Sequence, residues 1–158
     1  MTKDNLLIQF LGFETERAFA VWDSMEFSRT LLLFPSPAYK PEWEGASERL
    51  NASLISIVGK ENTMPIHSLD PVVVRTQLKR YLSLEEFSDS RYNYFLCPTG
   101  TKMQAVGMFL YIMENPTLPT VVHPRPVRHN RNYSSGIGSS WMFSFDPTKA
   151  KLKSLTTS

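Results

Sequence analysis

The sequence predicts an α/β domain with a mostly parallel sheet and helices on both faces, extended by a basic C-terminal arm. Three observations predict it. Short apolar runs, most of them closed by glycine or proline, recur through the first 123 residues. The stretches between most of them place apolar residues at helical spacing. Strand and helix patterns therefore alternate, and that order favours parallel pairing through right-handed crossovers.

Residues 6–11 (LLIQFL) and 30–34 (TLLLF) read as strands buried on both faces, because they are short and apolar throughout. Residues 92–97 (YNYFLC) and 120–123 (TVVH) read likewise, and 66–69 is a weaker strand between Pro65 and Pro71. Between them, residues 14–25 put Ala18, Val21, Trp22 and Met25 on one helical stripe, with Glu14 and Glu16 in the first turn. Residues 47–58 form a second helix on Leu50, Leu54, Ile57 and Val58, closed by Gly59. Asp70-Pro71 supplies an N-cap and a first-turn proline for a third helix bearing Val74, Leu78, Tyr81 and Leu82. Residues 101–113 are apolar nearly all round, so this fourth helix should be buried on more than one face.

The whole is Rossmann-like over residues 1–124, a nucleotide-binding domain by expectation. Residues 125–158 are expected to form an extended basic arm packed on it, with a short strand at 141–145. The charge is uneven: from residue 120 on, Arg125, Arg128, Arg131, Lys149, Lys151 and Lys153 face only Asp146, whereas acids outnumber bases before it. A net charge of +2 is too small for a general nucleic-acid binder. The single cysteine, Cys97, excludes an intramolecular disulfide and points to a reducing, cytoplasmic setting. No apolar stretch approaches the roughly 18 residues of a membrane span, so no membrane partner is expected. A chain of this length leaves no room for an effector of ordinary size beside the domain. It reads as a stand-alone protein, a subunit or a piece of something longer.

In such sheets ligands bind beyond the carboxyl ends of the strands. The turn there with the most chemistry is Thr99-Gly100-Thr101-Lys102, between a strand and a helix. Its glycine permits close backbone approach, its hydroxyls and helix-start amides can donate to an anion, and Lys102 adds positive charge. The alternative is that Thr101 only caps the helix and Lys102 is solvated. Neither a Walker loop nor a dinucleotide fingerprint is present, and no cofactor is expected. His67, His123 and His129 lack metal-ligand spacing, so no metal site is expected. His123, at a strand end beside the crevice, suits a ligand hydrogen bond better than catalysis. Cys97 reads as packing rather than as a nucleophile.

The strand, the Thr-Gly-Thr-Lys turn and the apolar helix together resemble the fourth-strand signature of the CRISPR-associated Rossmann fold (CARF) family. Pro98 and the lone glycine depart from the family pattern. The resemblance implies a cyclic oligonucleotide ligand, plausibly a cyclic oligoadenylate, lying across the two-fold of a homodimer in antiviral defence. Thr99, Gly100, Thr101, Lys102 and the loop after the first strand, with Gly12 and Thr15, would contact it. His123 and Arg125 complete the expected ligand set. The protein would be a sensor module or a metal-free ring nuclease, in which Lys102 stabilises the transition-state charge.

Two segments have competing readings. The loop at 35–45 (PSPAYKPEWEG) reads as a proline-stiffened crossover with Trp43 tucked under the second helix, ahead of a reading in which Tyr39 or Trp43 stacks a base. The arginine-rich arm would close over the ligand, or pair with another copy or a protein partner. From a different class, the chain would be a non-catalytic interaction subunit whose basic arm and proline loop meet a partner protein. A nucleoside- or sugar-phosphate enzyme would draw acid-base chemistry from Glu14 or His123, and no motif points to it. Otherwise the ligand is any phosphorylated small molecule that the turn can hold.

Overall fold

The computed structural model describes residues 3–115 and 119–125. Among the described residues, five strands form one all-parallel sheet: β1 (Asp4–Phe10), β2 (Arg29–Pro35), β3 (Thr63–Ile66), β4 (Tyr92–Cys97) and β5 (Thr120–Val121), in the order β3-β2-β1-β4-β5. The helices are α1 (Thr15–Asp23), α2 (Ala46–Leu50), α3 (Ala52–Val58), α4 (Pro71–Leu82) and α5 (Lys102–Glu114). The fold is Rossmann-like, as expected.

Alternation along β1 explains the layers. Leu6, Ile8 and Phe10 pack with Val74 and Leu78 of α4 and with Met108 and Tyr111 of α5. Leu7 and Leu11 face the other way, among Ala18 and Val21 of α1 and Leu54 of α3. These four β1 residues and Leu11, just beyond the strand, are fully buried, each worth about 1.5–3 kcal/mol on transfer from water. Gln9 lies in this central strand too, and its Nε2 donates to Ala18 O of α1 at 3.0 Å.

Several expectations need correcting. The helix expected over 47–58 is broken at Asn51, which is fully buried. Its Nδ2 donates to Ser47 O (2.8 Å) and to Gly12 O (3.0 Å), so the residue serves the loop after β1 at the expense of helix regularity. Leu50 and Ile57 are consequently exposed, and of the expected stripe only Leu54 is fully buried. Met25 falls beyond the end of α1 and is exposed. The weak strand expected at 66–69 is β3, four residues that end at Ile66, and Pro65 is tolerated there because β3 is an edge strand. In α5, Gln104, Gly107, Met108, Leu110 and Tyr111 are buried, while Phe109 is exposed.

The third predicted helix is α4, with Asp70 Oδ1 accepting from the Val72 and Val73 amides. The arm expected beyond Arg125, with its strand at 141–145, Arg128, Arg131 and His129, lies outside the described residues. Among the described residues, no helix is long and apolar enough to cross a membrane.

Candidate functional site

The chain leaves β1 into α1 on one face of the sheet and leaves β4 into α5 on the other. Adjacent parallel strands whose connections diverge in this way open a crevice at their carboxyl ends. Here it is a cleft of about 710 Å³, within the range of sites that enclose an organic ligand. Gly12, Phe13, Glu14 and Arg17 line it from the β1 side, and Pro98, Thr99, Gly100, Thr101 and Lys102 from the β4 side. Ala38, Tyr39 and Trp43 arrive from the loop after β2, and His123 from beyond β5.

The two central loops touch at the base of the cleft. Thr99 Oγ1 donates to Phe10 O at 2.5 Å. A Cβ on Gly12 would lie 2.5 Å from Thr99 O, a distance that only glycine avoids. Gly12 O accepts from Ser47 Oγ (3.2 Å) and from Asn51 Nδ2. The backbone under the site is thus fixed from three elements.

Thr101 is the N-cap of α5. Its Oγ1 accepts from the Gln104 amide, Gln104 Oε1 accepts from the Thr101 amide, and its own proton goes to Ser68 O at 2.7 Å. Both hydroxyl protons of the turn are therefore spent inside the protein. The amides of Gly100, Lys102 and Met103 have no hydrogen-bond partner among the described residues, and neither has Lys102 Nζ. The first turn of α5 holds no acid, so its positive dipole end is uncompensated. At α1 the situation is reversed. Glu14 and Glu16 sit at its start, and Glu14 Oε2 pairs with Arg17 Nη1 at 2.6 Å. The positive pole of the cleft is the α5 side.

The opposite wall is aromatic. Phe13 meets Trp43 edge-on at 5.4 Å between centroids, and Tyr39 lies over Trp43 at 6.2 Å with 29° between the planes. All three rings are more than a third exposed. The expected tucking of Trp43 under the second helix does not occur: the ring is exposed in the loop, which Glu44 ties across its base. Its carboxylate accepts from Ser36 Oγ (2.8 Å) and from the Ala38 amide (2.6 Å), and these bonds hold its pKa below the usual carboxylate value.

Of the expected site residues, Gly12, Thr99, Gly100, Thr101, Lys102 and His123 meet in this cleft. Thr15 lies off it, its hydroxyl directed to Leu50 O at 3.4 Å, and Arg125 is exposed beyond the lining. His123 is exposed, with Nδ1 3.1 Å from Pro124 O. Arg17 and Phe13 were missed by the sequence reading, although their place just after the first strand was a signal for both. No protein-family model matches the chain, and no curated protein matches it.

The remaining candidates are structural. Burial pushes the Cys97 thiol up to about 11, against the lowering effect of the Thr99 hydroxyl, and the group faces α1. His67 Nδ1 accepts from the amides of Leu69 and Asp70 and shapes the entry to α4. Among the described residues, no group of three or more His, Cys, Asp or Glu is placed to hold a metal.

Proposed function

We propose that the protein binds a phosphate-bearing nucleotide in the switch-point cleft, with a phosphate against the start of α5. The observation that carries this reading is the set of open amides at Gly100, Lys102 and Met103 beside the unpaired Lys102 ammonium, on a helix with no acid in its first turn. These groups, rather than the threonine hydroxyls, would donate to the phosphate oxygens. The likeness of the turn to the CARF signature narrows the ligand to a cyclic oligonucleotide such as a cyclic oligoadenylate, held by a homodimer acting as a sensor. A second reading is a ring nuclease, favoured by the presence of Lys102 and His123 in the same cleft. There the ligand's own 2′-hydroxyl, giving its proton to water, would attack the adjacent phosphorus in line and expel the 5′-oxygen, which takes up a proton, leaving a 2′,3′-cyclic phosphate and a 5′-hydroxyl while Lys102 neutralises the added charge.

Thermal unfolding with cyclic and linear oligonucleotides tests the proposal. A ligand at 100 times its Kd stabilises by about 2.7 kcal/mol. Lys102→Ala should weaken binding at least tenfold, as expected for loss of a charge-assisted contact. Chromatography of each mixture then separates sensor from nuclease by the appearance of product. No shift with any nucleotide, or an unchanged shift in Lys102→Ala, would overturn the reading.

A further inference from the structure

The proposed anion pole says nothing about the rest of the ligand, and the aromatic wall across the cleft does. Trp43 meets both Phe13 and Tyr39, and Phe13, Tyr39 and Trp43 keep 37%, 42% and 37% of their surface in contact with solvent. Large apolar groups exposed as one contiguous patch in a concavity mark a binding surface. The loop that carries two of them is also preorganised. Pro35, Pro37 and Pro41 restrict its backbone, and the Glu44 carboxylate ties Ser36 and Ala38 across its base. A wall of flat rings held rigid and left uncovered fits a flat ring.

Resting on the reading that a phosphate sits at α5, we infer that Trp43 and Tyr39 form the base-stacking half of the cleft, so that its ligand carries a planar nucleobase. Lys40 Nζ lies 4.7 Å above the Trp43 ring, over a face that a base would use. A cation on an exposed ring is held more weakly than a stacked base, so the lysine yields this position. Stacking reads area rather than base edges, and purines should therefore bind more tightly than pyrimidines.

The experiment compares AMP, CMP, adenosine and ribose 5-phosphate by isothermal titration on the wild type, Trp43→Ala, Trp43→Phe and Lys102→Ala. AMP should bind the wild type about tenfold or more tighter than ribose 5-phosphate, with CMP between them. Trp43→Ala should bring AMP down to the level of ribose 5-phosphate while leaving ribose 5-phosphate as it was, and Trp43→Phe should keep most of the preference. Equal binding of AMP and ribose 5-phosphate to the wild type would overturn the stacking site and leave the anion pole standing. A Trp43→Ala that weakens both ligands alike would overturn it too. If adenosine binds as well as AMP and Lys102→Ala changes neither, stacking holds and the phosphate reading falls. Absence of binding by all four compounds overturns both.

Discussion

Cys97 shows how a single side chain is silenced by its place in the sheet. At the end of β4 it is fully buried, and desolvation raises its pKa to about 11, so that near neutral pH it is a thiol and not a nucleophile. Iodoacetamide at pH 8 should leave the folded protein unmodified and label one site in denaturant, as mass spectrometry would show. Because the folded value lies above the unfolded one, the contribution of this group to stability is complete below the ordinary thiol pKa. It is lost as pH rises toward about 11. Denaturant midpoints measured across that window should fall in the wild type and fall less in Cys97→Ala. The turn two residues further on was partly legible in the sequence. A glycine between a strand and an apolar helix locates it, but nothing local shows that its hydroxyl protons go to Phe10 O and Ser68 O, from segments distant in the chain.

Elements built from one continuous pattern were readable, and elements that answer to a distant partner were not. β4 and α4 follow from an apolar run and from the Asp70-Pro71 start signal, each contained within its own segment. The break at Asn51 has no such signature, because its cause is Gly12 O at the end of another strand. The same holds for the loop between β2 and α2, where Trp43 stays exposed and the Glu44 carboxylate clasps Ser36 and Ala38 across its base. With the Glu44 pKa depressed, the clasp is present above the usual carboxylate value and is lost as pH falls through the lowered one. Glu44→Ala should expose the Ala38 amide, whose hydrogen exchange, corrected for the intrinsic rate, is expected to rise at least tenfold. The wild type at low pH should approach the same rate.

At the scale of the molecule, two helical layers close on a sheet whose central strand is the first in the chain. Within one of these layers α4 and α5 pack closely at Gly107, where a Cβ would lie 2.5 Å from Val74 Cβ and Cγ1 and 2.8 Å from Pro71 O. Gly107→Ala should therefore cost about 1–3 kcal/mol by overpacking, read as a drop of several degrees in Tm by scanning calorimetry. The alternation that revealed the fold class does not reveal strand order, since that depends on where β4 inserts. It docks on the free side of β1, pairing Asp4 with Tyr92 and Gln9 with Cys97. During synthesis, then, β1, β2 and β3 can assemble while one edge of β1 stays bare, with apolar Leu6 to Ile8 among its residues. The nascent protein must carry that sticky border until β4 leaves the ribosome, and only then does it acquire a cleft to fill.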